Sequence, residues 1–175
     1  MAGRMTPKGL FDAIAAVKAA NGHLHRGGNT RCIRLTVAGP FENEDEKARF
    51  ESASVGMNAL CNYVGWADEA KKHVLFSCAD CFIFPTTYPS ESFGLVLAEA
   101  MAHGCPVVTT RWQAVPEVLP PGDPNVIEPH DIDGLATALL NCLAAPKDQE
   151  LRQYFLAHFT SGRFVADMVR ALSDV

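Results

Sequence analysis

The sequence lacks several features that would assign it to a class of protein at once. Its 15 lysine and arginine residues form no run, and a formal net charge of -5 argues against nucleic acid and against a strongly basic membrane-binding face. No apolar run comes near the ~18 residues that are needed to cross a membrane. The first residues lead into a turn rather than into the apolar part of a secretory signal, so we expect a cytoplasmic protein without a transmembrane segment.

Spacings typical of metal sites are also missing. The six histidines lack H-E-x-x-H spacing, and C-x-x-C occurs once, at Cys78 and Cys81, without the second pair that would complete a zinc site. The six cysteines lie mostly in apolar runs, which favours reduced core thiols over disulfides. We therefore assign no metal to these residues.

What is present is a chain of one domain's length, with 175 residues and enough hydrophobic content, 48%, for a sizeable core. Short apolar runs alternate with longer helical patterns, which is typical of a parallel sheet covered on both faces. The runs predict strands at about 32–38, 61–65, 81–84, 106–109 and 125–128. The helical patterns predict helices near 10–21, 45–55, 68–78, 93–103, 132–144, 147–158 and 163–172. A glycine-rich loop is expected at 23–29.

Two carboxylates stand out in the most apolar part of the chain. Glu91 and Glu99 are separated by seven residues. We predict a buried helix from Phe93 to His103 with Ser92 as its N-cap, so that Glu91 lies just outside the helix and Glu99 about two turns inside it. An unpaired carboxylate there would cost several kcal/mol, and we expect Glu99 to meet a polar group or a wet cleft.

The start of that helix predicts an anion site. Gly94 would lie in the first turn, where free backbone N–H groups point outward and the missing side chain lets a phosphate come close. The alternative is that Glu91 is a solvated loop charge and Glu99 a core carboxylate satisfied by a backbone group or an arginine. Residue types and spacing alone leave both interpretations open.

The surroundings of the two acids favour the first interpretation. The segment resembles the E-x7-E motif of the GT-B glycosyltransferases, specifically the large retaining family 4 group. Before it, C-A-D-C-F-I-F-P-T at 78–86 is similar to the family's apolar strand that ends in Pro-Ser or Pro-Thr, and H-G-C-P-V-V-T-T follows at 103–110. Near the start, G-R-M-T-P-K-G at 3–9 resembles the family's phosphate-binding turn, G-R-x-x-x-K-G. The resemblance covers nearly the whole chain.

The resemblance implies a fold of the α/β class. We expect residues 1–175 to form one domain, a Rossmann-like doubly wound parallel sheet that is the C-terminal, donor-binding half of a GT-B fold. In the family the Gly-Arg turn follows a central first strand, which this chain lacks, so two strands should face a slot with unpaired N–H and C=O groups. The fold should then be marginal or assembly-dependent, and the slot filled by another copy, by a separate partner, or by nothing in a truncated product.

The resemblance also assigns roles around a donor diphosphate. Arg4 and Lys8 would neutralise it while negative charge grows on the leaving group; the alternative is that both are exposed surface cations. Three backbone N–H groups at the start of the predicted helix would hold the distal phosphate, those of Phe93, Gly94 and Leu95.

The two acids would contact the sugar parts of the donor. Glu91 would bind hydroxyls of the transferred sugar, and Glu99 would accept hydrogen bonds from the ribose. Glu91 and Lys8 are the catalytic candidates. Weaker donor-binding candidates lie at the end of two predicted strands. Gly65 and Trp66 lie at the end of the strand at 61–65, where the base would lie or the residues would pack in the core, and Thr86 and Thr87 follow the strand that ends at 84.

The predicted function is that of the donor-binding half of a retaining glycosyltransferase, which transfers a sugar from a nucleoside-diphosphate sugar to an acceptor without a metal or other cofactor. Its partners would be that nucleotide sugar and the missing N-terminal acceptor lobe, in cis or in trans, or a second copy. Both lobes must close over the donor, so the chain alone should bind rather than catalyse. The alternative is a nucleotide-binding or structural module without transferase activity, from a truncated or split protein.

Overall fold

The computed structural model describes residues 5–144 and 149–173, in which helices and strands follow one another in the predicted order. The helices are α1 Leu10–Arg26, α2 Glu44–Ala53, α3 Glu69–Cys78, α4 Leu95–Ala102, α5 Ile132–Ala144, α6 Gln149–His158 and α7 Ser161–Ser173. The strands are β1 Leu35–Val37, β2 Cys61–Tyr63, β3 Phe82–Phe84, β4 Val107–Thr110 and β5 Val126–Ile127. Two short 3-10 helices lie at Asn58–Leu60 and Val115–Val118. No helix in this part of the chain is both long and apolar enough to span a bilayer.

The strands form two separate parallel groups. In one group β1 pairs with β2, with Leu35 opposite Cys61. In the other the order is β3-β4-β5, with Phe82 opposite Val107. Within the described residues no ladder joins β1 to β3, and both strands line one cavity of about 550 Å³. The α/β class and the parallel pairing are as predicted.

Two hydrophobic cores lie on opposite faces of β3, β4 and β5. Ile83 and Val108 contribute to a core with α1, α5 and β1. Their neighbours Phe84 and Val107 contribute to a second core with α4, and α6 packs there as well. Successive side chains of a strand point to opposite faces, so helices cover this group of strands on both sides. That arrangement explains why the strands are nearly continuous apolar runs.

The predicted start of α4 was wrong. The helix begins at Leu95 rather than at Phe93, and its N-cap is Gly94, whose φ of 72° is left-handed, rather than Ser92. Glycine adopts this conformation without the steric penalty that a side chain would bring. Phe93 lies outside the helix, and its ring packs against the Phe159 ring, with centroids 5.9 Å apart. Glu99 is therefore one turn inside α4, not two.

Other boundaries differ from the prediction in smaller ways. Helix α1 continues past residue 21 to Arg26, so the first half of the predicted glycine-rich loop is helical. Asn21 does not end this helix, because its carboxamide bonds both the C=O and the N–H of Ile33 on the way to β1, at 3.0 and 2.7 Å. Strand β1 is three residues long where seven were predicted. Residues 147–148, the predicted start of α6, lie outside the described residues.

Candidate functional site

The turn at residues 5–9 is held against the loop that follows β3. Gly9, the N-cap of α1, has a φ of 85°, and a Cβ added to it would lie 2.1 Å from the carbonyl oxygen of Pro85. No side chain fits in that space. On the other side of the contact, the Thr87 N–H donates to the Pro7 C=O at 2.9 Å. The turn therefore has a fixed position relative to the loop that carries Glu91.

A buried carboxylate holds the same turn from α2. Glu46 is 5% exposed and accepts both the N–H and the hydroxyl of Thr6 at 2.6 Å, and the N–H of Glu42 at 2.7 Å. Burial raises the pKa of Glu46, but these hydrogen bonds to the ionised carboxylate outweigh it and lower the pKa below its ordinary value. Sequence reasoning missed Glu46 because it lies in a charged run. The sequence signal that could have identified it is an N-cap residue, Asn43, three positions earlier. The Asn43 side chain caps α2 by accepting the Glu46 N–H at 2.8 Å.

The fixed turn brings Lys8 to Glu91. The Lys8 Nζ lies 3.3 Å from Glu91 Oε2, and each side chain is 16% exposed. The same Nζ lies 5.9 Å from the ring centroid of Phe84 and 5.7 Å from that of Tyr88. Little water screens this pair, and the aromatic faces add to the attraction of the ammonium group. The two candidate catalytic residues, distant in sequence, are therefore in contact in the fold.

Glu99 has a lysine partner of its own. Its Oε2 accepts a hydrogen bond from Lys72 Nζ of α3 at 2.7 Å, and the side chains of Lys72 and Glu99 are 27% and 42% exposed. The hydrogen bond to Glu99 raises the pKa of Lys72, against the opposing effect of desolvation. The predicted polar contact of Glu99 is present, but its side chain is partly exposed to solvent rather than buried. Sequence reasoning did not identify Lys72, whose only signal was its place near the start of α3.

The start of α4 is exposed at one residue. The first hydrogen bond of the turn runs from the Leu97 N–H to the Gly94 C=O at 2.8 Å, and the N–H groups of Leu95 and Val96 precede it. The Leu95 side chain is exposed, whereas Gly94 and Val96 are buried. Of the three predicted N–H donors, Leu95 lies in the first turn, Gly94 is the cap, and Phe93 precedes the cap.

The weaker candidates near β2 border the cavity. Gly65 is left-handed, with a φ of 70°, and its C=O accepts the Gly39 N–H at 2.9 Å. Trp66, which follows it, is exposed and lines the cavity between the two strand groups. Lys8 and Lys72 line the same cavity. An exposed aromatic ring and the lysines of both ion pairs thus line one cavity.

The two threonines after β3 have structural contacts. Thr86 is fully buried; its hydroxyl accepts the Tyr88 N–H at 3.1 Å, and its C=O accepts the Thr110 hydroxyl. The Thr87 hydroxyl lies 3.4 Å from the Pro7 C=O, beside the backbone bond already described. Both residues stabilise the loop between β3 and Glu91. Thr86 is enclosed, so its side chain is not at the surface where a donor would lie.

Arg4 lies outside the described residues, and its role stays a prediction. In residues 5–144 and 149–173 no group of three or more His, Cys, Asp or Glu side chains has an arrangement that could hold a metal ion. The expectation that the reaction needs no metal stays a prediction as well.

The site elements lie at the carboxyl ends of strands. Helices α3 and α4 each follow a parallel strand, so each begins at the carboxyl end of that strand. The loop that carries Glu91 leaves the same end of β3, and the turn at residues 5–9 is bonded to it. In open parallel α/β sheets, ligands bind outside the carboxyl ends of the strands.

This fold is the GT-B fold, which solved structures share. The chain superposes on Anabaena HepE in complex with UDP with a TM-score of 0.79 at 20% identity, over 99% of this chain and 48% of that chain. It superposes on sucrose-phosphate synthase from Thermosynechococcus elongatus with a TM-score of 0.74 at 24% identity, over 96% of this chain and 42% of that one. The sequence identifies the family, because a profile of the family described as "Glycosyl transferases group 1" matches residues 1–145. The chain belongs to this family.

Curated relatives agree with this assignment. A phosphatidyl-myo-inositol mannosyltransferase of Mycolicibacterium smegmatis is 38% identical over 96 residues, which is 54% of this chain and 24% of that protein. A glycogen synthase of Mycobacterium tuberculosis is 32% identical over 149 residues, 83% of this chain and 33% of that protein. The matched segments span between 20% and 33% of the first curated relatives.

Proposed function

We propose that this chain binds the nucleoside diphosphate of a sugar donor and is the donor-binding half of a retaining glycosyltransferase. The observation that carries the proposal is the contact of Lys8 with Glu91 on the loop that joins β3 to α4, the helix that begins at the exposed Leu95. Family membership supports sugar transfer, and HepE, a structural neighbour, is described in complex with UDP. The family 4 assignment, the retaining stereochemistry and a cytoplasmic location belong to the same proposal, and the sequence features described above support them.

The ion pair between Lys8 and Glu91 suits a site that exchanges one anion for another. A diphosphate that approaches the start of α4 competes with Glu91 for the Lys8 ammonium group, and Glu91 is then released to accept hydrogen bonds from sugar hydroxyls. As the bond to the sugar breaks, negative charge grows on the diphosphate, and Lys8 together with the Leu95 N–H stabilises it. The roles of Lys8 and Glu91 are thus linked through one contact.

The pair between Lys72 and Glu99 suits the ribose. A carboxylate has two oxygens, and only Oε2 of Glu99 is bonded to Lys72 in this structure. Two neighbouring hydroxyl groups can occupy the free oxygen and, once Lys72 moves, the second one. Trp66 offers an exposed ring near the same cavity for the base.

Transfer itself needs a second lobe under this proposal. Closure over the donor excludes water and completes the catalytic groups, and one lobe supplies binding but little transition-state organisation. The N-terminal acceptor lobe, in cis or in trans, is therefore the proposed catalytic partner. The alternative of a structural module is favoured by a single observation: each candidate lysine already has a carboxylate partner in the ligand-free fold.

The test is a titration of the intact chain with UDP, GDP, ADP and dTDP, followed by the shift in melting temperature and by calorimetry. One nucleotide should stabilise the protein, by about 2.7 kcal/mol at ~100 times its Kd. Lys8→Ala and Glu99→Ala should remove this effect, whereas Lys47→Ala, which alters an exposed pair on α2, should keep it. A chain that melts cooperatively and binds none of the four would favour the structural module.

A further inference from the structure

We propose that His73 and His103 form a binding site for a divalent transition-metal ion such as Zn²⁺, between helix α3 and the carboxyl end of α4. Imidazole nitrogens are common ligands for zinc, copper and nickel. The site is separate from the contact of Lys8 with Glu91 and does not depend on nucleotide binding. Residue spacing predicted no metal for the histidines, since these two are 30 positions apart and meet only in the fold.

The two imidazole rings meet through one nitrogen atom each. His103 Nε2 lies 2.8 Å from His73 Nδ1, and the ring centroids are 4.8 Å apart with an interplanar angle of 67°. Two nitrogens bound to one zinc ion at ~2.05 Å in tetrahedral geometry lie about 3.3 Å apart. An increase of about 0.5 Å in the separation of the two nitrogens therefore makes room for the ion in place of the hydrogen bond.

The tautomer of His103 presents a lone pair to the site. His103 Nδ1 lies 2.9 Å from the Glu99 C=O, which can only accept, so Nδ1 carries the hydrogen and Nε2 of the neutral ring carries a lone pair. The His103 backbone N–H donates to the Ala100 C=O rather than to that of Glu99. Histidine ligands of metals commonly donate the other ring N–H to a carbonyl in this way, which fixes the tautomer and the ring orientation.

Packing also fixes the orientation of the His103 ring. Phe76 is 7% exposed, and its ring centroid lies 5.7 Å from that of His103. Phe76 in turn packs edge-on against Phe82, with centroids 5.2 Å apart. His73 is exposed, so water can reach the ion and occupy the coordination positions that the two imidazoles leave open. One ligand is therefore fixed by its neighbours, and the other can adjust its position.

The charges on the two helices favour a cation at this place. Glu69 precedes His73 by one turn of α3. Glu99 precedes His103 by one turn at the end of α4. Lys72 Nζ lies 3.7 Å from Glu69 and 2.7 Å from Glu99, and one lysine with two glutamates leaves a net charge of -1. His103 is also the C-cap of α4, where the helix dipole has its negative end. Both effects stabilise a bound divalent ion.

Binding of the ion changes the tautomer of His73. Because His103 Nε2 accepts, the hydrogen between the two rings belongs to His73 Nδ1. When the ion binds, Nδ1 loses this proton and uses its lone pair as a ligand, and the neutral His73 ring carries its hydrogen on Nε2. The ion then links α3, which carries Lys72, to the end of α4, which carries Glu99. We expect it to stabilise the folded chain, because a ligand that binds only the folded state does so.

The probe is Zn²⁺ itself, titrated into the intact chain at neutral pH and followed by calorimetry and by the melting temperature. The wild type should bind the ion and melt at a higher temperature. His73→Ala should weaken binding by about tenfold or more, because even the loss of a ligand's hydrogen-bond partner has an effect of about that size. His73 is exposed and alanine favours helices, so this variant should fold. The control is His25→Ala, an exposed histidine at the end of α1, which should bind as the wild type does.

A second variant and a spectroscopic measurement identify the ligand atoms. His103→Asn keeps an N–H donor close to the position of Nδ1 but has no counterpart of Nε2, and should weaken binding as His73→Ala does. NMR of the imidazole nitrogens should show shifts on addition of Zn²⁺ at His73 Nδ1 and His103 Nε2. The remaining hydrogens should be on His73 Nε2 and His103 Nδ1. Melting of each variant without the ion checks that it folds.

Three results would overturn the proposal. The first is that the wild type binds no Zn²⁺. The second is equal binding by the wild type and His73→Ala, which would assign the ion to other groups such as the exposed thiols of Cys32 and Cys78. The third is coordination through His103 Nδ1, which would mean that its bond to Glu99 does not set the tautomer. None of these outcomes depends on whether nucleotides bind.

Discussion

The two lysine–glutamate ion pairs of the candidate site join the same residue types in different surroundings. Lys8 and Glu91 are mostly buried, between aromatic rings, and Lys8 lies in a turn fixed by Gly9 and Glu46. Lys72 and Glu99 lie on the surfaces of two helices, and more of each side chain is exposed. The exposed pair has the shorter contact, 2.7 against 3.3 Å. Water and salt nevertheless screen it more, so the comparison shows that distance alone does not rank the two pairs.

The largest loss of stability is expected from a substitution at Gly9, which lies in the turn that carries Lys8. Gly9→Ala would add a Cβ that overlaps the Pro85 carbonyl and would strain a left-handed residue. We expect a loss of about 3 kcal/mol or more in the free energy of unfolding, measured by urea denaturation. The control is Gly28→Ala, which has a similar φ of 70° but no atom within 4 Å of the added Cβ, and should cost about 1–2 kcal/mol. Equal losses for the two variants would mean that the close approach to Pro85 is unimportant.

A smaller loss is expected from Glu46→Gln. The amide keeps a single acceptor oxygen, and its NH2 group replaces the other oxygen and faces the donors of either Thr6 or Glu42. Because hydrogen bonds to a charged group are worth about 1.5–3 kcal/mol, we expect a loss of about 2–3 kcal/mol. Glu51→Gln, on the exposed face of the same helix, should cost less than about 0.5 kcal/mol. A loss for Glu46→Gln as small as that control would show that the turn is held by other contacts.

The same carboxylate predicts a pH dependence. The pKa of Glu46 is lower in the folded protein than its ordinary value of 4.5, so its contribution to stability is complete above that value. It is lost as the pH falls below 4.5 and through the folded-state pKa, because the unfolded chain then binds the proton more readily. Between pH 6 and pH 3 the free energy of unfolding, measured by urea denaturation, should therefore decrease less for Glu46→Gln than for the wild type. Parallel curves for the two proteins would contradict the lowered pKa.

The smallest effects compare the ion pairs directly through double-mutant cycles. Lys8→Ala combined with Glu91→Ala should give a coupling energy of about 1–2 kcal/mol that changes little between 0.05 and 1 M salt. Lys72→Ala combined with Glu99→Ala should give about 0–1 kcal/mol, which decreases as salt is added. A larger coupling for the exposed pair would reverse the ranking made from burial.

The order of the elements was predictable because it depends on local patterns. Short apolar runs and helical periodicity are properties of consecutive residues, and they placed β3, β4 and α5 to within about two residues. The start of α4 was not predictable in this way. Ser92 is a residue type that is favoured as an N-cap, but the helix begins after Gly94, whose backbone is left-handed.

The site was predictable in part, for a different reason. The importance of Lys8, Glu91 and Glu99 was inferred from a resemblance that names residue types at given spacings. Which lysine contacts which carboxylate depends on how distant segments meet, and no local pattern contains that information. Lys72 and Glu46 were missed for this reason: each acts through a residue on another element, Glu99 and Thr6.

The left-handed cap at Gly94 separates the two acids. Glu91 lies on the loop before the cap, whereas Leu95 and Glu99 belong to one helix. Four residues separate these two, about 6 Å along the axis and roughly 40° around it. Helix α4 thus sets a fixed length between its first N–H group and the carboxylate. One residue inserted after Leu95 would rotate Glu99 by about 100° around that axis, whereas one inserted before Gly94 would leave their geometry unchanged.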